Sequence, residues 1–259
     1  MTNEENDKTM PGHMDDPLET ANTTIAHSTS SHSIALMGES GGALAPLQLE
    51  QRGIIHREES ARKQSDAFRE IRTRLLGLAG MQNFVTMVVS VSPRSGGSFV
   101  ARNLAAAFAL DEAKTSLLID CNLRYPAQHK ALGVEANSGG LSDFLEHPAQ
   151  GIHRVIYHTG IPRLRLIPAG LPRENAGEQF SSFRMRTVLD SLRCRYADRY
   201  LFLDGPAIKG SPDARILSDL ADFVVVVAGY GRDTPNAIAQ AAAQFDPDKM
   251  AGVVFNHSP

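Results

Sequence analysis

The stretch SVSPRSGGSFVARNLAAAFA, residues 90–109, decides the fold. It contains the end of an apolar strand, a Gly-containing loop and the start of an alanine-rich helix, which is the geometry of a phosphate-binding loop. Such a loop points backbone N–H groups and a helix N-terminus at phosphate oxygens, and it adds a lysine for charge and a hydroxyl for Mg²⁺. Gly96 and Gly97 permit the tight backbone path, and Ser98 supplies the hydroxyl. The predicted cofactor-binding residues of the loop are Arg94, Ser95, Gly96, Gly97, Ser98 and Phe99.

The lysine of such loops is absent, because its position holds Gly97. A unit charge about 4 Å from a phosphate oxygen contributes roughly 4 kcal/mol at an effective dielectric constant of about 20. Losing that interaction slows phosphoryl transfer by about a thousandfold. Arg94 lies on the rim of the loop and replaces the charge only weakly. Taken alone, the loop fits equally well a Gly-Gly turn that joins a strand to a helix.

On both sides of this loop, short apolar runs alternate with helical patterns. The runs predict strands within 84–91, 115–122, 163–170, 199–205, 222–229 and 250–256. The helical patterns lie within 59–80, 99–112, 140–147, 182–196, 211–221 and 234–245. Strands that are apolar almost throughout are typical of parallel sheets covered on both faces. The sequence therefore predicts an α/β domain over residues 47–259, with a mainly parallel sheet and helices on both faces.

Composition limits the remaining organisation and the classes of function. Residues 1–46 carry seven acidic side chains, one lysine and few large apolar groups, which predicts a disordered acidic and polar tail. The net charge of −3 gives no reason to expect nucleic acid as a partner. The longest apolar run, residues 223–229, is about a third of a bilayer span, and the N-terminus lacks the apolar segment of a secretory signal. We therefore expect a soluble protein that meets a membrane only through a partner.

Two acidic residues follow apolar strands at the edge where parallel sheets bind ligands. Asp120 and Asp204 each end such a run, and their carboxylates are suited to hold Mg²⁺ together with Ser98. If the protein is active, these two residues are the catalytic candidates. The alternative for each Asp is a turn or helix cap, and for Ser98 it is an N-cap.

Several segments, in order, resemble the bacterial tyrosine autokinases of capsule and exopolysaccharide synthesis, which are MinD-like P-loop proteins. SDAFREIRTRL is similar to the acidic-x-x-Arg-x-x-Arg oligomerisation helix of that family, and the loop at 90–105 is similar to its Ser-x-x-Pro-x-x-Gly-Lys-Ser-x-x-x-x-Asn-Leu-Ala motif. LLIDCNLRYPAQH resembles the second acidic motif, and FLDGP resembles the Walker B strand end. The resemblance covers about residues 62–257. It implies oligomerisation through Asp66, Arg69 and Arg72 and places Asn256 near the nucleotide base.

This chain departs from the family pattern at three places. Gly97 replaces the lysine, Asn122 replaces the second acid of Asp-x-Asp, and no tyrosine follows Tyr230, where the family has a tyrosine-rich acceptor tail. These losses affect the cation, the carboxylate and the phosphate acceptor. The resemblance thus implies a kinase fold whose kinase chemistry is dismantled.

We expect a cytoplasmic, kinase-like subunit of exopolysaccharide or capsule synthesis and export, associated peripherally with the inner membrane. The resemblance implies that it binds the cytoplasmic part of a membrane polysaccharide copolymerase, in a homo- or hetero-oligomer, with weak or lost binding of ATP or ADP and Mg²⁺. One alternative is an active ATPase or tyrosine kinase in which Arg94 or a neighbouring subunit supplies the cation. Another is a ParA/MinD-type positioning ATPase, which the missing lysine disfavours.

Overall fold

The computed structural model describes residues 43–80, 82–174, 176–195 and 197–257, and within these ranges the chain forms a seven-stranded sheet. The strands are β1 (Val85–Ser90), β2 (Thr115–Asp120), β3 (Tyr157–His158), β4 (Leu164–Ile167), β5 (Arg199–Asp204), β6 (Phe223–Gly229) and β7 (Met250–Asn256). Their order across the sheet is β3-β4-β2-β5-β1-β6-β7. All neighbouring strands are parallel except β3 and β4. The mainly parallel sheet predicted from the apolar runs is confirmed.

Helices join the strands and cover the sheet. They are α1 (Pro46–Gln51), α2 (Arg62–Ala79), α3 (Gly97–Ala109), α4 (Gln128–Leu132), α5 (Leu141–Glu146), α6 (Ala176–Phe180), α7 (Phe183–Cys194), α8 (Asp213–Ser218) and α9 (Pro235–Ala242). Four short elements, α1, α4, α6 and β3, lie outside the predicted segments, because elements of two to six residues are too short to show a period.

Side chains alternate between the two faces of the sheet, so the central strands contribute side chains to two hydrophobic cores, one on each face. Met87, Ile119 and Leu203 face the core that α5–α9 cover. Val88 and Leu118, each one residue away from a member of the first set, face the core beneath α2 and α3. The expected helices on both faces are therefore confirmed, and the continuous apolar runs are explained by burial on both sides.

The alanine-rich helix α3 lies against the sheet and also holds the N-terminal segment in place. Its side chains from Leu104 to Ala109 are buried, and their small size permits close approach to the strands. Asn103 is fully buried on the same helix. Its Oδ1 accepts from the Ile55 amide at 2.8 Å, and its Nδ2 donates to the Gly53 carbonyl at 2.9 Å. The helix that begins at the phosphate loop therefore also anchors the chain that follows α1.

Residues 1–42 of the predicted tail (1–46) lie outside the described residues, and residues 43–46 lie within them. Of its last four residues, Leu44 donates its amide to the Gly160 carbonyl at 2.8 Å, and Pro46 begins α1. None of the helices in the described ranges has the length and apolar character needed to cross a bilayer.

Candidate functional site

The loop between β1 and α3 has a backbone path that depends on glycine. Arg94 and Gly96 have φ angles of 67° and 94°, in the left-handed region. A Cβ on Gly96 would lie 1.8 Å from Asn256 Nδ2, so any other residue at this position would displace the Asn256 side chain. A Cβ on Gly97 would lie 3.1 Å from both the Cβ and the amide nitrogen of Ser90. The missing lysine position is thus also a close contact between the helix start and the last residue of β1.

The start of α3 offers backbone donors to an anion. Among the described residues, no protein acceptor takes the amide protons of Gly97, Ser98 and Phe99, and the first capping hydrogen bond runs from Val100 to the Gly96 carbonyl at 3.0 Å. These amides and the helix dipole form the phosphate-binding arrangement that the sequence predicts.

A cavity of about 680 Å³ lies in front of this helix start. Five predicted cofactor-binding residues line it: Arg94, Gly96, Gly97, Ser98 and Phe99. Asn122, which stands where the family motif has its second acid, also lines the cavity and carries no charge. Tyr125, which is 73% exposed, lines the cavity as well. The volume is in the range of small-molecule sites.

The other two predicted cofactor-binding residues, Ser95 and Asn256, make hydrogen bonds that hold the loop in place. Asn256 Nδ2 donates to the Ser95 carbonyl at 3.1 Å, and the Ser95 hydroxyl donates to Asp233 Oδ2 at 2.7 Å. The same oxygen accepts from the Gly229 amide at 2.7 Å. Burial alone would raise the pKa of Asp233, but the hydrogen bonds from Ser95 and Gly229 outweigh it and lower the pKa. The loop is thereby tied to the ends of β6 and β7, and contact between Asn256 and a base stays a prediction.

The two predicted acids lie side by side, because Asp120 and Asp204 are register partners on β2 and β5. Asp120 is fully buried, and its carboxylate accepts three backbone amides: Asn122 at 3.1 Å, and Ala127 and Gln128 at 3.0 Å each. Its contacts are those of a cap that shapes the loop after β2 and the start of α4.

Gln128 joins the second acid to the phosphate loop. Its Nε2 donates to Asp204 Oδ2 at 2.6 Å and to the Ser98 carbonyl at 2.9 Å. Gln128 is fully buried at the start of α4, and the sequence interpretation missed it, because a glutamine in so short a helix carries no signal for such a contact. The sequence interpretation also missed Asp233, which lies between β6 and α9. An acidic residue soon after an apolar strand is nevertheless a usable signal.

Burial raises the pKa of both acids. For Asp204 the pKa rises to about 7, because burial and then the neighbouring Asp120 charge outweigh Gln128, Ser98 and Arg102. For Asp120 burial raises the pKa to about 6 against the three amide hydrogen bonds. Two adjacent carboxyl groups in a buried site favour sharing a proton, which reduces the negative charge at neutral pH.

Mg²⁺ prefers oxygen ligands, and the free oxygens here belong to Asp204 rather than Asp120. Asp204 Oδ1 and Gln128 Oε1 are buried without a hydrogen-bond partner in the described part of the chain. Together with the Ser98 hydroxyl, these oxygens are of the type that suits a hard cation, although of the three residues only Ser98 lines the cavity. Amides already donate to both oxygens of Asp120, so fewer of its lone pairs are left for a cation than at Asp204. Across the described ranges, no group of three or more His, Cys, Asp and Glu residues has the arrangement of a metal site.

The predicted oligomerisation residues lie on α2, away from this cavity. Asp66 and Arg69 pair on the exposed face at 2.6 Å. Arg72 turns inward, and its Nη1 donates to the Ala107 carbonyl at 2.9 Å. The structure therefore leaves Asp66 and Arg69 available to a second chain, whereas Arg72 is engaged within its own chain.

A parallel sheet with a phosphate loop after β1 and acids at the ends of β2 and β5 defines a P-loop nucleotide-binding fold. No protein-family model matches the chain. It is 31% identical over 209 residues to the tyrosine-protein kinase YwqD of Bacillus subtilis, which covers 80% of this chain and 86% of that protein. It is 33% identical over 194 residues to the tyrosine-protein kinase Wzc of Salmonella typhimurium, covering 74% of this chain. The chain spans about a quarter (26%) of Wzc.

Solved structures share the fold. The kinase domain of Escherichia coli tyrosine kinase ETK has a TM-score of 0.66 at 24% identity, covering 82% of this chain and 92% of that one. The Pyrococcus furiosus cell division ATPase MinD has a TM-score of 0.55 at 19% identity, covering 66% and 70%. The chain belongs to the family of bacterial tyrosine-protein kinases, and its MinD-like fold is confirmed.

The raised pKa values of Asp204 and Asp120 predict a pH-dependent stability. Because both pKa values exceed that of an unfolded Asp, about 4, the folded state binds more protons between that pH and about pH 7. The free energy of unfolding therefore falls as pH rises through this window. We expect Asp204→Asn to remove most of the fall, because the amide still offers an oxygen to Gln128 but does not ionise.

Urea unfolding without Mg²⁺ at pH 5 and pH 8 measures this effect. At pH 8 the free energy of unfolding of Asp204→Asn should exceed that of the wild type by about 1 kcal/mol or more. At pH 5 this difference should be smaller. Asp190→Asn, on an exposed position of α7, is the matched control and should show no such pattern. Parallel pH profiles for Asp204→Asn and the wild type would contradict the assignment.

Proposed function

We propose that the chain is a kinase-like subunit of exopolysaccharide or capsule synthesis and export that has lost efficient phosphoryl transfer. It acts by binding the cytoplasmic part of a membrane polysaccharide copolymerase, at the cytoplasmic face of the inner membrane. Family membership supports the kinase fold. The observation that carries the loss of activity is Gly97 at the lysine position, packed against Ser90.

The loop supports binding of a phosphate group better than its cleavage. Three free amides and the helix dipole stabilise an anion in the ground state. The lysine of an active loop adds charge where it develops in the transition state, and that term is worth roughly 4 kcal/mol. Since Gly97 leaves its place without a cation, we infer a barrier higher by about that amount and a rate about a thousandfold lower.

The acidic site supports the same conclusion. An active site of this kind needs charged carboxylates to hold Mg²⁺ and to accept a proton. Asp120 is occupied by three amides, the pKa of Asp204 is raised to about 7, and Asn122 has no charge. Nucleotide and Mg²⁺, held by the loop amides, Ser98 and Asp204, would therefore serve a structural role, as ATP or ADP.

A second candidate function is an active ATPase or tyrosine kinase that uses a non-standard cation. Its support is that Arg94 lines the cavity. Arg94 is exposed, however, and its carbonyl is held by Arg232 Nη1 at 3.3 Å, which places this arginine on the solvent side of the loop. An exposed charge is strongly screened, so we favour the inactive subunit.

The proposed loss of phosphoryl transfer is tested by restoring a lysine at position 97. We expect Gly97→Lys to increase ATP hydrolysis or tyrosine phosphorylation at least tenfold over the wild type, because it restores charge at the phosphates. The full thousandfold is not expected, since the new Cβ would lie 3.1 Å from Ser90 and Asn122 remains neutral. Single-turnover assays with radiolabelled ATP measure the gain.

Gly97→Ala is the matched control, because it introduces the same Cβ without the charge. It should stay at the wild-type rate. A wild type that already turns over rapidly, and that loses activity in Arg94→Ala, would support the active enzyme instead.

The partner half is tested by co-purification with the cytoplasmic segments of a polysaccharide copolymerase. We expect the wild type to be retained whether or not ATP is present. Arg69→Glu should weaken retention several-fold, because it reverses a charge on the predicted oligomerisation face of α2, and we propose that the oligomer is the form that the copolymerase retains. Lys63→Glu, an equal charge change on the same helix, should have little effect. Loss of retention in both variants, or no retention of the wild type, would contradict a specific interface at Asp66 and Arg69.

A further inference from the structure

The cavity in front of α3 contains more positive charge than the loop alone provides. Arg94, Arg124 and Lys209 line it. The acidic residue Asp213 also lines it, but its carboxylate accepts from the Ser211 hydroxyl at 2.8 Å. A cavity with free amides and an excess of cations favours a polyanion.

Lys209 is held beside the place from which the lysine is missing. Its amide donates to the Val91 carbonyl at 3.1 Å, and the preceding Ile208 amide donates to the Ser90 carbonyl at 2.9 Å. Ser90 is also the residue against which Gly97 packs. One residue at the end of β1 therefore contacts both the vacant lysine position and the segment that carries Lys209.

The three cations differ in their existing contacts. Arg124 Nη2 donates to the Glu174 carbonyl at 3.2 Å. Arg94 is exposed on the rim. Within the described ranges, the ammonium group of Lys209 has neither a carboxylate nor a carbonyl partner. The Arg94 side chain likewise has no such partner in these ranges, so neither cation gives up a contact when a phosphate enters the cavity. Lys209 differs from Arg94 because its backbone is hydrogen-bonded to the end of β1, next to the position that lacks the lysine.

We propose that Lys209, from the segment between β5 and α8, supplies the positive charge that holds the terminal phosphates of a nucleoside di- or triphosphate in this cavity. This inference rests on the nucleotide binding in the proposed function and adds the residue responsible. The lysine side chain is exposed, so its charge acts through water and increases affinity. It does not replace a desolvated lysine in the transition state, so binding and slow turnover are compatible.

Calorimetric titration of the full chain with MgATP, MgADP and AMP tests the proposal. We expect Lys209→Ala to weaken MgATP binding about tenfold and MgADP binding by somewhat less. AMP binding should change less than twofold, because AMP has no terminal phosphates to lose. Lys209→Arg should restore most of the affinity. Lys63→Ala, which removes an exposed lysine remote from the cavity, is the matched control and should bind like the wild type.

The outcomes separate this inference from the proposed function. Equal MgATP affinity in Lys209→Ala and the wild type overturns the role of Lys209. Absence of any MgATP or MgADP binding by the wild type overturns it as well, while the partner interaction and the lack of kinase activity still stand. Rapid wild-type turnover together with weakened binding in Lys209→Ala supports the role of Lys209 and overturns the inactive-subunit proposal. Melting curves of each variant confirm that a loss of binding is not a loss of fold.

Discussion

The backbone at residues 96 and 97 approaches its neighbours closely, and the phosphate loop depends on this constraint. Asn256 fills the position beside Gly96, and Ser90 fills the position beside Gly97. The close approach brings the start of α3 onto the end of β1 and leaves its amides facing the cavity. Glycine at position 97 also leaves the loop itself without the lysine charge on which the proposed loss of phosphoryl transfer rests.

Buried hydrogen bonds then connect the loop to three neighbouring strand ends. Gln128 links the Ser98 carbonyl to Asp204, and Asp233 links Ser95 to the end of β6. Asp120 organises the turn from which Gln128 enters the core. Asp120 and Asp204 thus accept hydrogen bonds that hold the connecting segments in place. Under the proposed function, the two acids keep this structural role while their catalytic role is reduced.

The architecture was predictable from sequence because the strands are buried on both faces and are apolar almost throughout. The phosphate loop and the two acids were predictable because each directly follows such a strand. Gln128 and Lys209 were not, since the short helix α4 and the segment after β5 show no periodic pattern. Asp233 offered only the signal of an acidic residue soon after an apolar strand. The proximity of these three residues follows from the strand order, which places β5 and β6 on either side of β1. The bond from Asn256 to Ser95 was not predictable, because a motif gives a residue's position but not its hydrogen-bond partner. The expected place of Asn256 near a base stays a prediction.

The central claim is that an amide cradle whose lysine position holds Gly97 binds a phosphate but barely cleaves it. The most direct measurement is the transfer of radiolabelled γ-phosphate by the purified wild-type chain, with saturating MgATP and no other protein. The account predicts no label on tyrosine and phosphate release about a thousandfold slower than the roughly 1–100 s⁻¹ typical of kinases. Turnover within that typical range would contradict it.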